Sequence, residues 1–214
     1  MRPPGITVSI ATALALAGCA NPERSRDLAN PAIPALVIAR QVCANCHGID
    51  GNATSPNFPN LAGQPQPYLV SQLKGFRSHD RRDPAGFEYM WGLSRSLTDA
   101  QIEGLADYYA HQVPVSPPGD ADDATLQAGQ AIFDHGVPTR QVPACASCHG
   151  AQGQGHDSFP RLAGQHADYV IKQLAVFQRT EERPDGAVMT VVAHGLREQD
   201  FASVAAYVQA LPMR

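Results

Sequence analysis

The chain has 214 residues and a mass of 22.8 kDa, enough for one large domain or two small ones. Its formal net charge is −4, from 16 Lys and Arg against 20 Asp and Glu, and no basic stripe runs along it, which argues against nucleic acid as a partner. A mildly acidic surface suits a charged partner protein, and two domains of this size would have thin cores that need apolar bulk from a bound group.

The N-terminus reads as a targeting segment. Arg2 is a minimal positive start, and Ile6 to Leu16 is apolar apart from Thr7, Ser9 and Thr12. That run is too short to span a bilayer as a mature helix and fits a secretory signal. Leu16-Ala17-Gly18-Cys19 resembles the lipobox of bacterial lipoproteins, in which the cysteine becomes the lipidated first residue. The alternative is ordinary cleavage after Ala20. We expect residues 1–19 to be a signal peptide with a lipobox, 20–33 a tether, and the protein to be periplasmic, anchored through Cys19 or soluble. Loss of Arg2 with the signal takes the charge from −4 to −5.

A first helix is expected over about Pro34 to Val42. It leads into Cys43-Ala44-Asn45-Cys46-His47, and a second copy of the pattern stands at Cys145-Ala146-Ser147-Cys148-His149. Cys-x-x-Cys-His reads as the attachment site of a c-type haem: the thiols bond the porphyrin vinyl groups and the histidine is placed to ligate iron. A dithiol redox motif would need a βαβ context, which is missing. A zinc site shared by the two motifs would not require a histidine directly after each second cysteine. Two covalent haem c groups with their iron are therefore expected, and a poorly folded chain without them.

The sequence repeats. The two motifs are offset by 102 residues, 145 − 43. Phe58-Pro59-Asn60-Leu61-Ala62-Gly63-Gln64 matches Phe159-Pro160-Arg161-Leu162-Ala163-Gly164-Gln165 at an offset of 101, 159 − 58. Tyr68, Gln72, Leu73 and Phe76 match Tyr169, Gln173, Leu174 and Phe177 at the same offset. Met90, Leu97 and Tyr108 match Met189, Leu196 and Tyr207 at 99, 189 − 90. One haem-binding unit is used twice. A second helix follows each Leu-Ala-Gly-Gln segment, with Tyr68, Leu69, Leu73 and Phe76, or Tyr169, Val170, Leu174 and Phe177, on one face. A last helix is expected over about Thr98 to His111 and again over Glu198 to Ala210. Thr98-x-x-Gln101 is a capping box for the former, whereas Arg197 offers no such cap and predicts a frayed start. Val113 to Asp120 is proline-rich and acidic, a linker. Unit two opens on a helix over about Ala124 to Asp134. The fold class is all-α, with units over 34–113 and 124–214 joined by residues 114–123.

The sixth iron ligand separates a carrier from an enzyme. Met90 and Met189 hold equivalent places in loops before the last helices, and their recurrence favours ligation over plain core packing. A thioether favours ferrous iron, raises the potential and closes the iron to oxygen or peroxide. His79, His111, His135, His156, His166 and His194 do not recur between the units. The backbone at Pro59 and Pro160 is placed to accept the other ring N–H of His47 and His149. Arg161 is read as a propionate partner or a solvated charge, and Tyr68, Tyr169 and Trp91 as haem-wall or ordinary core residues.

Together the two haem motifs, the paired Pro-x-Leu-Ala-Gly-Gln segments, the paired methionines and Gly129-Gln130-Ala131-Ile132-Phe133 resemble the diheme class I cytochromes c of the cytochrome c4 family. Unit one departs from the pattern, with Ala35 and Ala39 where a glycine and an aromatic are expected. The resemblance implies two tandem class I domains related by a pseudo-twofold, with haems near their interface. It also implies an electron carrier, not an enzyme, between a quinol-oxidising complex or dehydrogenase and a terminal oxidase. The competing expectations are a cytochrome subunit of a flavoprotein sulfide or alcohol dehydrogenase, and a diheme peroxidase.

Overall fold

In the computed structural model, residues 25–84, 86–179 and 182–213 are described. The expected signal segment and Cys19 lie outside them. Among the described residues the fold is helical, with no strand and only two isolated β-bridges, Val137 with Val142 and His156 with Phe159.

Unit one opens on α1 (Ala35–Ile38), which runs through a π-helical turn (Ala39–Cys43) into α2 (Ala44–His47). The helix thus continues past the expected Val42 and carries the haem motif itself. After the Leu-Ala-Gly-Gln turn come α3 (Gln66–Ser78), a second π-helical turn (Gly86–Met90), α4 (Trp91–Ser94) and α5 (Asp99–Ala110). Unit two has α6 (Asp123–His135), a 3-10 turn (Pro138–Arg140), α7 (Ala146–His149), α8 (Ala167–Arg179), a 3-10 turn (Pro184–Gly186), α9 (Ala187–Gly195) and α10 (Glu198–Ala210). Neither methionine lies in a loop, contrary to expectation. Met90 ends a π-helical turn and Met189 sits in the first turn of α9. The apolar run Ala187 to Ala193 sustains a helix there, and in unit one the wider π turn takes up one more residue between Gly86 and Met90 than stands between Gly186 and Met189.

Each unit packs its last helix across its first. Ile102, Leu105, Ala106 and Tyr109 recur at helical spacing on the buried face of α5, against Ile33, Ile38, Ala39 and Leu69. On α10 the buried face is Phe201, Val204, Ala205 and Val208, against Ile132, Phe133, Leu174 and Leu196. Each fully buried aliphatic side chain contributes about 1.5–3 kcal/mol relative to exposure. Thr98 and Gln101 close the capping box of α5, and Gln101 Nε2 donates to the carbonyls of Asn30 (3.1 Å) and Ile33 (3.0 Å), docking the preceding segment.

The start of α10 is not frayed. Arg197 has no acceptor to offer, but the Asp200 carboxylate reaches back to the Arg197 N–H at 2.7 Å and takes Arg140 Nη1 at 2.6 Å. Residues 113–118 are held from both sides. Asn52 accepts from the Val115 N–H (2.8 Å) and donates to the Val113 carbonyl (3.0 Å), while Gln209 Nε2 donates to the Pro118 carbonyl at 2.8 Å.

Candidate haem-attachment sites

Cys43, Cys46 and His47 sit one turn apart on a single helical run, so the two thiols and the imidazole share a face; Cys145, Cys148 and His149 repeat this on α7. A glycine follows each histidine with φ +77° at Gly48 and +86° at Gly150. A Cβ at Gly48 would lie 2.3 Å from the Asn52 carbonyl oxygen, so only glycine lets the chain leave the motif this sharply.

Both imidazoles are buried. His47 Nδ1 lies 3.0 Å from the Pro59 carbonyl oxygen, and His149 Nδ1 lies 2.9 Å from that of Pro160. A carbonyl can only accept, so Nδ1 carries the proton and Nε2 keeps its lone pair for a metal. Burial pushes the pKa of both histidines down, the proline carbonyls partly opposing it, so the rings are neutral. Phe58 and Phe159 meet them edge-on, at centroid distances of 6.2 and 6.3 Å. Burial also pushes the Cys43 and Cys145 thiols up to about 11, so both are uncharged at neutral pH. Two thiols and a ring presenting one lone pair fit covalent haem c in each unit.

The remaining candidates separate. Met90 is partly buried, and Met189 packs against the core of unit two that also takes in Cys145. Trp91 lies against His79, 5.2 Å between centroids, and under Arg95. Arg161 turns to the Gly63 carbonyl (3.3 Å) and to Met213 Sδ (3.4 Å). His194 is exposed, with Nδ1 2.7 Å from the Thr190 carbonyl. His166 is buried, with Nε2 2.8 Å from the Ala53 carbonyl of unit one.

Residue-level reading of the sequence missed the contact between the units. Gln64 and Gln165, the last residues of the repeated segment, are both buried and bond across it. Gln165 Oε1 accepts from the Asn60 N–H at 2.8 Å, and its Nε2 donates to the Asn60 carbonyl at 3.0 Å. Gln64 makes the same two bonds to Arg161, both at 2.9 Å. The reciprocity is that of a pseudo-twofold.

A second reciprocal cluster joins α3 to α8. Gln72 Oε1 accepts from Arg81 Nη1 (2.6 Å) and Arg183 Nη2 (2.9 Å), while Gln173 Oε1 accepts from Arg81 Nη2 (3.3 Å) and from Arg183 Nη1. Each guanidinium also lies over a matched ring, Arg81 4.4 Å from the centroid of Phe76 and Arg183 4.5 Å from that of Phe177. Arg81 pairs with the buried Asp83 at 2.7 Å, whereas Arg183 forms no ion pair among the described residues. The cluster thus holds two buried guanidinium groups, with the Asp83 carboxylate paired to one and Asp185 lining the same pocket. The recurrence of Gln64 and Gln165 was a usable signal. The arginines are hidden because Arg81 stands five positions after Phe76 but Arg183 six after Phe177.

Comparison with known proteins agrees with this geometry. The Cytochrome c family model matches residues 35–111 and 126–212. Cytochrome c-552 of Acidithiobacillus ferridurans is 40% identical over 170 residues, covering 79% of this chain and 73% of that protein. The solved structure of cytochrome c4 from Acidithiobacillus ferrooxidans superposes with a TM-score of 0.71 at 39% identity, over 79% of this chain and 98% of the other. A thiosulfate dehydrogenase structure from Marichromatium purpuratum gives a TM-score of 0.72 at 32% identity, over 90% of this chain but 40% of that longer one.

Proposed function

The chain belongs to the cytochrome c family as a diheme, cytochrome c4-like electron carrier, and from that premise we propose that it is an exported, periplasmic protein that passes single electrons between redox proteins. The observation that carries the reading is the doubled site: in each unit a Cys-x-x-Cys-His turn whose histidine is fixed through Nδ1 with its metal-facing nitrogen free. Bound haem supplies a reversible one-electron iron couple. Cys43 and Cys46, and Cys145 and Cys148, would hold the porphyrins, and His47 and His149 would each ligate an iron through Nε2. We assign Met90 and Met189 as the opposite ligands, Pro59 and Pro160 as the acceptors that fix the histidine tautomer, and Arg81 and Arg183 as residues that offset propionate charge. Ligation of each iron by one histidine and one methionine would leave no open position for substrate, which favours a carrier over a peroxidase.

The donor is a quinol-oxidising complex or dehydrogenase and the acceptor a terminal oxidase. Among the described residues no helix is long and apolar enough to cross a membrane; we propose a lipid on Cys19 as the anchor. A second reading, an electron-accepting module bound to a dehydrogenase, draws on the similarity to part of the longer thiosulfate dehydrogenase chain. Spectroelectrochemical titration of the purified holoprotein tests the proposal. Met90→Ala is expected to remove one methionine–iron band and to lower one of two potentials, leaving the other haem nearly unchanged. An unaltered spectrum, or ready carbon monoxide binding by the unsubstituted reduced protein, contradicts it. Co-purification with a large catalytic subunit would favour the second reading.

A further inference from the structure

The glutamines that close the contact between the units also touch the peptide groups that hold the histidines. His47 Nδ1 donates to the carbonyl oxygen of the Pro59–Asn60 peptide at 3.0 Å, and the N–H of that same peptide donates to Gln165 Oε1 at 2.8 Å. In the opposite sense, His149 Nδ1 donates to the Pro160–Arg161 peptide at 2.9 Å, and its N–H donates to Gln64 Oε1 at 2.9 Å. Both glutamines are only 5% exposed, so water does not compete for these bonds. Each histidine is therefore one peptide group away from a side chain of the other unit.

We propose that Gln165 and Gln64 are crossed positioning residues, each setting the electron donation of the axial histidine in the opposite unit. The inference rests on His47 and His149 being iron ligands. A peptide whose N–H donates a hydrogen bond becomes a stronger acceptor at its oxygen, because the bonds in a chain polarise one another. A stronger acceptor draws the Nδ1 proton away from the ring and makes Nε2 the better donor to iron, which favours the ferric state. Gln165 thus lowers the potential of the haem on His47, and Gln64 that of the haem on His149. The contact that joins the units is thus also the contact that tunes them.

The test uses Gln165→Met and Gln64→Met in the full holoprotein. Methionine keeps the length of the side chain and removes the carboxamide. Potentials are read for each haem by redox titration followed through haem-methyl NMR resonances assigned to each unit. The expected result is crosswise: Gln165→Met raises the potential of the unit-one haem and leaves that of unit two nearly fixed, and Gln64→Met does the reverse. A shift confined to the substituted unit, equal shifts in both, or no shift overturns the proposal. Should the methionine variants give too little protein, Gln165→Glu supplies a stronger acceptor. It is expected to move the His47 Nδ1–H resonance downfield, and an unmoved resonance overturns the proposal equally. Failure of the underlying reading would show separately, as absence of haem-shifted His47 and His149 ring resonances in the unsubstituted protein.

Discussion

The two units cross their first and last helices at the same place with opposite choices of side-chain size. In unit two the glycine and the aromatic are on the first helix: Gly129 lies against Ser203, and Phe133 shares its buried cluster with Val208. In unit one they have moved to the last helix: Gly104 lies against Ala35, and Tyr109 fills the space beside Ala39, its hydroxyl 3.5 Å from the Ala39 carbonyl. The residues correspond one to one, since Gly104 and Tyr109 align with Ser203 and Val208 at the offset of 99. What is kept is one glycine and one aromatic at the crossing, not the helix that carries each. Ala35 and Ala39, which looked like a defect in the first helix, are half of an exchange completed on α5.

The exchange can be broken unequally. A Cβ at Gly129 would lie 2.0 Å from the Ser203 carbonyl oxygen, which is backbone, whereas one at Gly104 would meet only the Ala35 Cβ at 2.7 Å. Gly129→Ala is expected to destabilise unit two by about 3 kcal/mol and Gly104→Ala to destabilise unit one by about 1 kcal/mol. Denaturant unfolding of the holoprotein, with each haem followed through its own band, measures both. Tyr109→Val leaves a cavity in unit one and is expected to cost about 2 kcal/mol. Adding Ala39→Phe transplants the arrangement of unit two and should recover part of that loss, and a double variant no better than the single would show that the volumes are not exchangeable.

The smallest effect is in acid. The carboxyl of Asp200 is held below its usual range: burial opposes this, but Arg140 and the Arg197 N–H outweigh it. A group with a depressed folded pKa stabilises above its unfolded pKa and loses that contribution as pH falls through the folded value. The start of α10 should therefore weaken below about pH 4, by about 1 kcal/mol. Circular dichroism and haem spectra during acid titration, with Asp200→Asn as control, would show it.

Much of this was legible before any coordinates. Cys-x-x-Cys-His carries its own geometry within five residues, and the repeat placed each later helix by reference to its twin. What the sequence concealed depends on partners far away in the chain. Gln101 and Thr98 form a local cap and were read directly, but Asp200 caps by reaching back while bound to Arg140, sixty residues earlier. The glutamines of the repeated segment looked like part of a turn, because nothing local says that a side chain bonds the backbone of the other copy. Met90 is hard to place from sequence because a π-helical turn of five residues has no periodicity to recognise, whereas Met189 lies in the first turn of an α-helix.

The most direct test of the account is the proton NMR spectrum of the fully reduced holoprotein. A methionine bound to low-spin ferrous haem has its side-chain methyl over the porphyrin face, where the ring current moves it far upfield. Two such methyl resonances, one lost in Met90→Ala and the other in Met189→Ala, are the result expected here. A single shifted methyl, or none, would mean that at least one iron is not closed by methionine, and the reading of both units as matched electron carriers would fall.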